Sequence, residues 1–151
     1  LKNMNDNELE NMIQFSTQSG TILQIIELEP INLTKAYYEL HHFGLDAIED
    51  KLKKLAVNTK IRTYMQKRRI YILPKTEVEL IRPIENTEFC ANCTRIRVTS
   101  DGKIKPCLMR ADNLVDILTP MRSGTDDKQI EQIFLEAIKR REPYYKIQKI
   151  T

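Results

Sequence analysis

The apolar positions of residues 1–30 predict a helix followed by a strand. Asn5 and Glu8 have the spacing of a capping box, so we expect the helix to begin there. Its buried face carries Leu9, Met12 and Ile13. Gly20 is expected to end the helix, because glycine adopts the left-handed conformation at little cost. Residues 21–28 are almost continuously apolar, which is typical of a strand buried on both faces of a parallel sheet.

A second pattern begins after Pro30 and predicts a helix and then strands. Residues 31–44 are expected to form a connection. The helix that follows has an apolar stripe formed by Leu45, Ile48, Leu52 and Leu55. Strand-like runs then cover residues 57–65, 70–73 and 78–81. The change of pattern near residues 30–45 predicts a boundary between two segments, residues 1–44 and residues 45–151.

A hairpin and a closing helix are predicted in the rest of the chain. Asp101-Gly102 is the strongest short hairpin signal, because this dipeptide suits the tight turn between antiparallel strands. The flanking strands cover residues 95–99 and 103–107. Asp126 caps the closing helix, and Pro143 is expected to stop it. The apolar face of this helix carries Ile130, Ile133, Phe134, Ala137 and Ile138. The predicted class is α/β, with α+β character in the second segment.

Composition places the chain among ordinary globular proteins. Charged residues are 30% and hydrophobic residues 41%, and the net charge of +3 is too mild to require nucleic acid as a partner. No apolar run approaches the roughly 20 residues that span a membrane. The start of the chain does not resemble a signal peptide, and three cysteines cannot form a disulfide framework, so we expect a cytoplasmic location. Because the first residue is leucine, we also expect a fragment of a longer protein.

The three cysteines are the candidate chemistry of the chain. Cys90 and Cys93 are separated by two residues, and the predicted hairpin returns Cys107 toward them. Three thiolates can hold an iron–sulfur cluster by three corners and leave one iron open to a substrate. Two other interpretations stay open at this point. One is a zinc site completed by His41 or His42, and the other is a set of buried thiols that bind no metal.

Two arginines follow the cysteine pair. Arg95 and Arg97 are two residues apart, so on a strand their side chains share a face, while Ile96 points to the other side. Their forked guanidinium groups suit phosphate or carboxylate oxygens, which predicts a site for an anionic substrate. The alternative is a solvated strand face with ion pairs to Glu85 or Glu88.

Residues 89–108 also resemble a known family. Their order matches F-C-x-x-C-x-R-x-R-x-S/T-x-D-G, with thirteen residues between the second and third cysteines and a leucine after the third. This motif resembles the C-terminal cluster motif of the GTP 3′,8-cyclases of molybdenum cofactor biosynthesis (the MoaA family), which are radical S-adenosylmethionine enzymes. Residues 1–13 and 24–28 are similar to upstream segments of the same family.

The resemblance implies a fold and a reaction. Residues 1–44 would be the last helix and strand of an incomplete (β/α)6 radical-SAM barrel. Residues 45–151 would be a C-terminal extension of antiparallel strands and helices that carries an iron–sulfur cluster and binds GTP. In the full-length enzyme, a second 4Fe–4S cluster cleaves S-adenosylmethionine to a radical that converts GTP to 3′,8-cyclo-7,8-dihydro-GTP.

The resemblance further implies roles for individual residues. The ligands of the C-terminal 4Fe–4S cluster would be Cys90, Cys93 and Cys107, and the GTP contacts would be Arg95, Ile96 and Arg97. The family's C-x-x-x-C-x-x-C motif is absent, so the radical would come from the N-terminal barrel of the same protein. That barrel and GTP are the expected partners, and a homodimer is left open. Gln24, Glu29 and the basic run 67–69 are left without a role.

Two competing functions remain. One is a zinc-stabilised module that contacts nucleic acid or another protein. The other is a relative that uses its cluster on a different radical substrate, such as a peptide. The Arg-x-Arg sequence directly after the second cysteine favours GTP over the peptide, and the identity of the bound metal separates the enzyme from the binding module.

Overall fold

The computed structural model describes residues 1–141 as a mixed α/β fold with two sheets. The elements, in chain order, are α1 (Leu9–Ser19), β1 (Leu23–Ile26), α2 (Lys35–His41), α3 (Asp46–Leu55), β2 (Asn58–Ile61), β3 (Arg69–Ile72), β4 (Glu77–Ile81), α4 (Thr87–Ala91), β5 (Arg97–Val98), β6 (Lys103–Lys105), β7 (Val115–Asp116), α5 (Leu118–Arg122) and α6 (Asp127–Lys139). None of the helices in this part of the chain is long and apolar enough to cross a membrane.

The larger sheet contains strands from both halves of the chain. Its order is β1-β4-β3-β2, in which β1 runs parallel to β4 and the other pairs are antiparallel. Leu23 lies opposite Val78, and Ile26 lies opposite Ile81. The hydrophobic core of this region consists of Leu45, Leu52, Tyr71, Leu73, Val78 and Leu80. These residues come from α3, the adjoining loops and the two central strands. The apolar stripe predicted on α3 is confirmed for Leu45, Ile48 and Leu52, whereas Leu55 is 48% exposed.

The smaller sheet holds the hairpin that returns the chain to the third cysteine. Its order is β5-β6-β7, and Arg97 lies opposite Lys105. Gly102 sits in the turn with φ 76°, and a Cβ atom there would overlap the side chain of Leu118. The turn therefore requires glycine, which confirms the hairpin signal. In the central strand β6, Ile104 is buried. Helix α6 packs against β6 and β7.

Several predicted helix boundaries are confirmed. Gly20 ends α1 in the left-handed conformation, with φ 67°. The carboxylate of Asp126 accepts a hydrogen bond from the amide of Gln129, which caps α6. Pro143 lies outside the described residues. The proposed boundary near residues 30–45 stays a prediction.

The first helix does not begin where the sequence predicted. The expected capping box was wrong, because α1 begins at Leu9 and its N-cap, Glu8, makes no side-chain capping bond. The backbone instead forms turns before the helix, where the amide of Glu8 donates to the carbonyl oxygen of Asn5 at 3.2 Å.

Two other expectations also differ from the structure. Residues 31–44 contain the short helix α2, where the hydroxyl of Thr34 accepts a bond from the amide of Tyr37. Strand β1 is not buried on both faces, since Ile26 is 56% exposed. The reason is that this face, which also carries Gln24, lines a cavity instead of packing against another element.

Candidate functional site

A cavity of about 270 Å³ is lined by every predicted site residue except Ile96. It is lined by the three cysteines and by four arginines: Cys90, Cys93, Cys107, Arg68, Arg95, Arg97 and Arg141. Residues far apart in sequence therefore share one concave surface. Ile96 is half-buried and does not line this cavity, so its predicted contact with GTP stays a prediction.

A short helix positions the first two cysteines. The side chain of Asn86 accepts a hydrogen bond from the amide of Phe89 at 3.0 Å, and this cap begins α4. Cys90 lies in the last turn of α4, and the amide of Cys93 donates to the carbonyl oxygen of Cys90 at 3.1 Å. The tight turn brings both cysteines to the cavity. The sequence analysis missed this helix, although Asn86 is a preferred N-cap residue.

The hairpin positions the third cysteine. Strand β6 ends at Lys105, and the chain bends at Pro106, which is fully buried. The strand therefore ends two residues before the predicted limit at Cys107. Proline suits this place because it supplies no ladder N–H where the strand must stop. The bend brings Cys107 to the cavity that Cys90 and Cys93 also line.

Arg95 and Arg97 line the cavity without sharing a regular strand. Strand β5 begins only at Arg97, and Arg95 lies in the exposed segment before it. Within residues 1–141, neither arginine forms the alternative ion pair with Glu85 or Glu88. Both arginines line the cavity.

The cavity also contains a carboxyl group that faces these cations. Burial raises the pKa of Glu29, and the positive charges of Arg97 and Arg95 oppose that shift. Glu29 lines the same cavity as both arginines. Glu29 had no assigned role in the sequence analysis, because nothing local in the sequence shows that it lies beside residues 95–97.

A buried carboxylate holds a further arginine at the cavity wall. Glu79 is fully buried and accepts hydrogen bonds from Gln24 and Arg62. Nη1 of Arg68 lies 3.7 Å from Oε2 of Glu79, and Arg68 is only 4% exposed. Burial lowers the pKa of Arg68, the nearby Arg95 lowers it further, and Glu79 opposes both effects. Nε of Arg68 has no hydrogen-bond partner among the described residues, so this cation is held in place and incompletely satisfied.

The loop before β3 reaches one of the cysteines directly. Nε2 of Gln66 donates a hydrogen bond to Sγ of Cys93 across 3.3 Å. Gln66 is buried, and its Oε1 has no partner within residues 1–141. The sequence analysis missed Gln66, because residues 57–65 were interpreted as a strand rather than as a strand followed by a loop.

Three cysteine side chains line the cavity, and this donor set is one that suits an iron–sulfur cluster. Among the described residues, no group of three or more His, Cys, Asp or Glu side chains converges tightly enough to hold one ion. The histidines lie elsewhere: His41 contacts the carbonyl oxygen of Lys2, and His42 contacts the carboxylate of Glu27 at 3.0 Å. Zinc needs four ligands around one point. A 4Fe–4S cluster binds each thiolate at a different iron, so three soft ligands around a cavity suit it.

Comparisons with known proteins agree with the motif. The family model described as Molybdenum Cofactor Synthesis C matches residues 21–147. The chain is 47% identical to a "Probable GTP 3',8-cyclase" of Thermococcus kodakarensis, over 97% of the chain and 49% of the relative. It is 46% identical to proteins of the same name from Methanocaldococcus jannaschii (95% of the chain, 46% of the relative) and Methanothermobacter marburgensis (96% and 48%).

The chain thus spans about half the length of the curated relatives it matches. No solved structure matches it. The family match covers most of the chain, including every cysteine and arginine of the motif. The chain belongs to the Molybdenum Cofactor Synthesis C family.

Proposed function

We propose that this chain is the part of a GTP 3′,8-cyclase that holds a 4Fe–4S cluster and binds GTP beside it. The observation that carries the proposal is the single cavity lined by three cysteines and four arginines. Three cysteine ligands leave one iron of a cluster open, and an open iron can bind a donor atom of the substrate's base. The relatives are named as probable GTP 3',8-cyclases, so their names give GTP as the substrate.

The residues divide into two groups with different tasks. Cys90, Cys93 and Cys107 would each hold one iron of the cluster. Arg95 and Arg97 would bind phosphate oxygens through their forked N–H groups, and Arg68 would add a third, buried cation. Fixing GTP at both ends restricts its motion relative to the cavity, which is how positioning lowers the entropic part of an activation barrier.

The rest of the reaction would belong to the part of the protein that this chain lacks. The chain spans about half of its relatives' length and carries no second cysteine motif. The proposed partner is therefore an N-terminal radical-SAM barrel that supplies the radical from S-adenosylmethionine. In this arrangement, the edge of β1 that has no partner strand within residues 1–141 would pair with that barrel. The cytoplasmic location and the homodimer remain predictions.

Metal content and the visible spectrum of the chain, purified and reconstituted without oxygen, test the proposal. We expect about four irons and four sulfides per chain, with broad absorption that changes when GTP is added. ATP is the matched control ligand, because it carries the same triphosphate on a different base. One zinc per chain and no colour after reconstitution would contradict the proposal and favour the zinc-stabilised binding module.

A further inference from the structure

The loop between β2 and β3, residues 62–68, contacts the Cys-x-x-Cys turn through two hydrogen bonds from Gln66. The backbone amide of Gln66 donates to the carbonyl oxygen of Asn92 at 3.1 Å. Asn92 lies inside the Cys-x-x-Cys turn. The side chain of Gln66 donates from Nε2 to Sγ of Cys93 at 3.3 Å. Both contacts end on the same turn, so the position of Gln66 and that of Cys93 depend on each other.

The chain adopts an uncommon backbone to place Gln66 there. Met65, Gln66 and Lys67 have φ angles of 62°, 65° and 50°. This is the left-handed region, which residues other than glycine rarely adopt, least of all three in succession. Backbone strain of this kind concentrates at functional sites.

The side chain of Gln66 is also costly to bury. Gln66 is 4% exposed, and only one of its two polar side-chain atoms has a partner within residues 1–141. A long, buried, half-satisfied amide contributes little to folding, because ordering and desolvation oppose its single bond. The burial of the Gln66 side chain is therefore better explained by its hydrogen bond to the Cys93 sulfur than by a contribution to the stability of the fold.

We infer that Gln66 is a positioning residue that sets the reduction potential of a cluster bound at Cys93. The inference rests on the proposed function, since it requires the cluster. One-electron reduction adds negative charge to the cluster and to its ligand sulfurs. An N–H donor at one of those sulfurs stabilises the more negative state, and the potential rises. The buried cation of Arg68 in the same loop acts in the same direction.

Two substitutions at Gln66 separate the hydrogen bond from the fold. Gln66→Asn shortens the side chain by one methylene group, and asparagine tolerates the left-handed backbone well, so the loop keeps its shape while the donor moves away from the sulfur. Gln66→Leu keeps most of the volume and removes the donor. Gln18→Leu, at an exposed position on α1, is the matched control because it makes the same chemical change away from the cavity.

The measurement is the midpoint potential of the reconstituted chain for the one-electron step between the 2+ and 1+ states of the cluster. We expect both Gln66 variants to retain their iron and to show a more negative potential than the parent, with Gln18→Leu unchanged. Equal potentials at full iron content would overturn the inference. So would an unshifted Gln66→Asn beside a Gln66→Leu that loses iron, because Gln66 would then be structural only. A parent chain that holds zinc and no iron would overturn both this inference and the proposed function.

Discussion

Two charged clusters in this protein differ in whether their polar atoms have partners. Glu49 is buried, and each carboxylate oxygen accepts charged or hydroxyl donors: Tyr71 at 2.6 Å, Arg69 at 2.7 Å and Arg82 at 2.7 Å. At the cysteine cavity, Nε of Arg68 and Oε1 of Gln66 are buried without partners in the described part of the chain. Buried polar groups are normally satisfied, and the exceptions need an explanation.

We interpret the difference as a division between a structural cluster and a ligand site. In the Glu49 cluster, the carboxylate pairs with Arg69 of β3 and with Arg82 after β4. These pairs join α3 to β3 and to the segment after β4. The cavity gathers cations around thiols and leaves polar atoms unmatched, as expected where a ligand completes the set. A substitution in the first cluster should therefore change stability alone, while one in the second should change binding.

The largest effect is expected from removing a proposed ligand of the iron–sulfur cluster. Cys107→Ser should abolish most of the iron content after reconstitution, because a serine hydroxyl is a poor ligand for iron–sulfur centres. It should also loosen the hairpin that ends at Pro106. Iron and sulfide analysis measures the first effect. Ser100→Ala, in the exposed turn of the same hairpin, is the control, and equal iron in Cys107→Ser and the parent would remove Cys107 from the ligand set.

The second effect concerns the Glu49 cluster and should change the stability of the fold without changing GTP binding. Glu49→Gln removes the charge that pairs with exposed Arg69 and half-buried Arg82 and disturbs the bond from buried Tyr71, which should lower the free energy of unfolding by about 2 kcal/mol. Urea denaturation at neutral pH measures the change, and Glu39→Gln, on the exposed face of α2, is the control. A clear loss of GTP affinity without a loss of stability would break the division between the two clusters.

The pH dependence of the Glu49 cluster follows from its pKa. Burial raises the pKa of Glu49, but hydrogen bonds from Tyr71 and Arg82 outweigh it, and the net pKa lies below the ordinary value of 4.5. A carboxyl whose folded pKa is depressed contributes stability above its unfolded pKa and loses that contribution as the pH falls through its folded pKa. The stability gap between the parent and Glu49→Gln should therefore shrink as the pH falls below 4.5. A gap that stays constant into acid would assign the loss to packing rather than to charge.

The third effect concerns the arginines of the cavity. Arg97→Ala should weaken GTP binding about tenfold, equivalent to about 1.4 kcal/mol, because it removes a charge-assisted phosphate contact. Arg68→Met should act similarly, whereas Arg95→Ala should act less, since Arg95 is exposed to solvent that screens its charge. Calorimetric titration of the reconstituted chain measures the affinities. Arg122→Ala, on the exposed α5, is the control, and iron content should stay constant throughout.

The two clusters also show what the sequence could predict. The spacing of Cys90 and Cys93 and the Asp101-Gly102 turn are local signals, and the turn that returns Cys107 follows from them. Glu79 and Arg68 carry no such signal. Their pairing depends on β3 lying beside β4, and a single sequence does not reveal which polar residue on a strand will be buried. Gln66 was missed for a related reason, because left-handed φ angles at non-glycine residues have no clear sequence signature.

The smallest effect is expected at Glu29, a carboxylate that lines the cavity together with Arg95 and Arg97. Its negative charge competes with phosphate for Arg95 and Arg97, so Glu29→Gln should strengthen GTP binding a few-fold, by less than about 1 kcal/mol. Because burial raises the pKa of Glu29 above 4.5, the parent carboxylate becomes neutral as the pH falls toward that raised value. The affinities of the parent and Glu29→Gln should therefore converge in mild acid, and titrations of both proteins with GTP across that range measure this. Weaker binding by Glu29→Gln at neutral pH would contradict this prediction. It would mean that the Glu29 carboxylate accepts a hydrogen bond from GTP, so that the cavity recognises a donor group of the ligand as well as its phosphates.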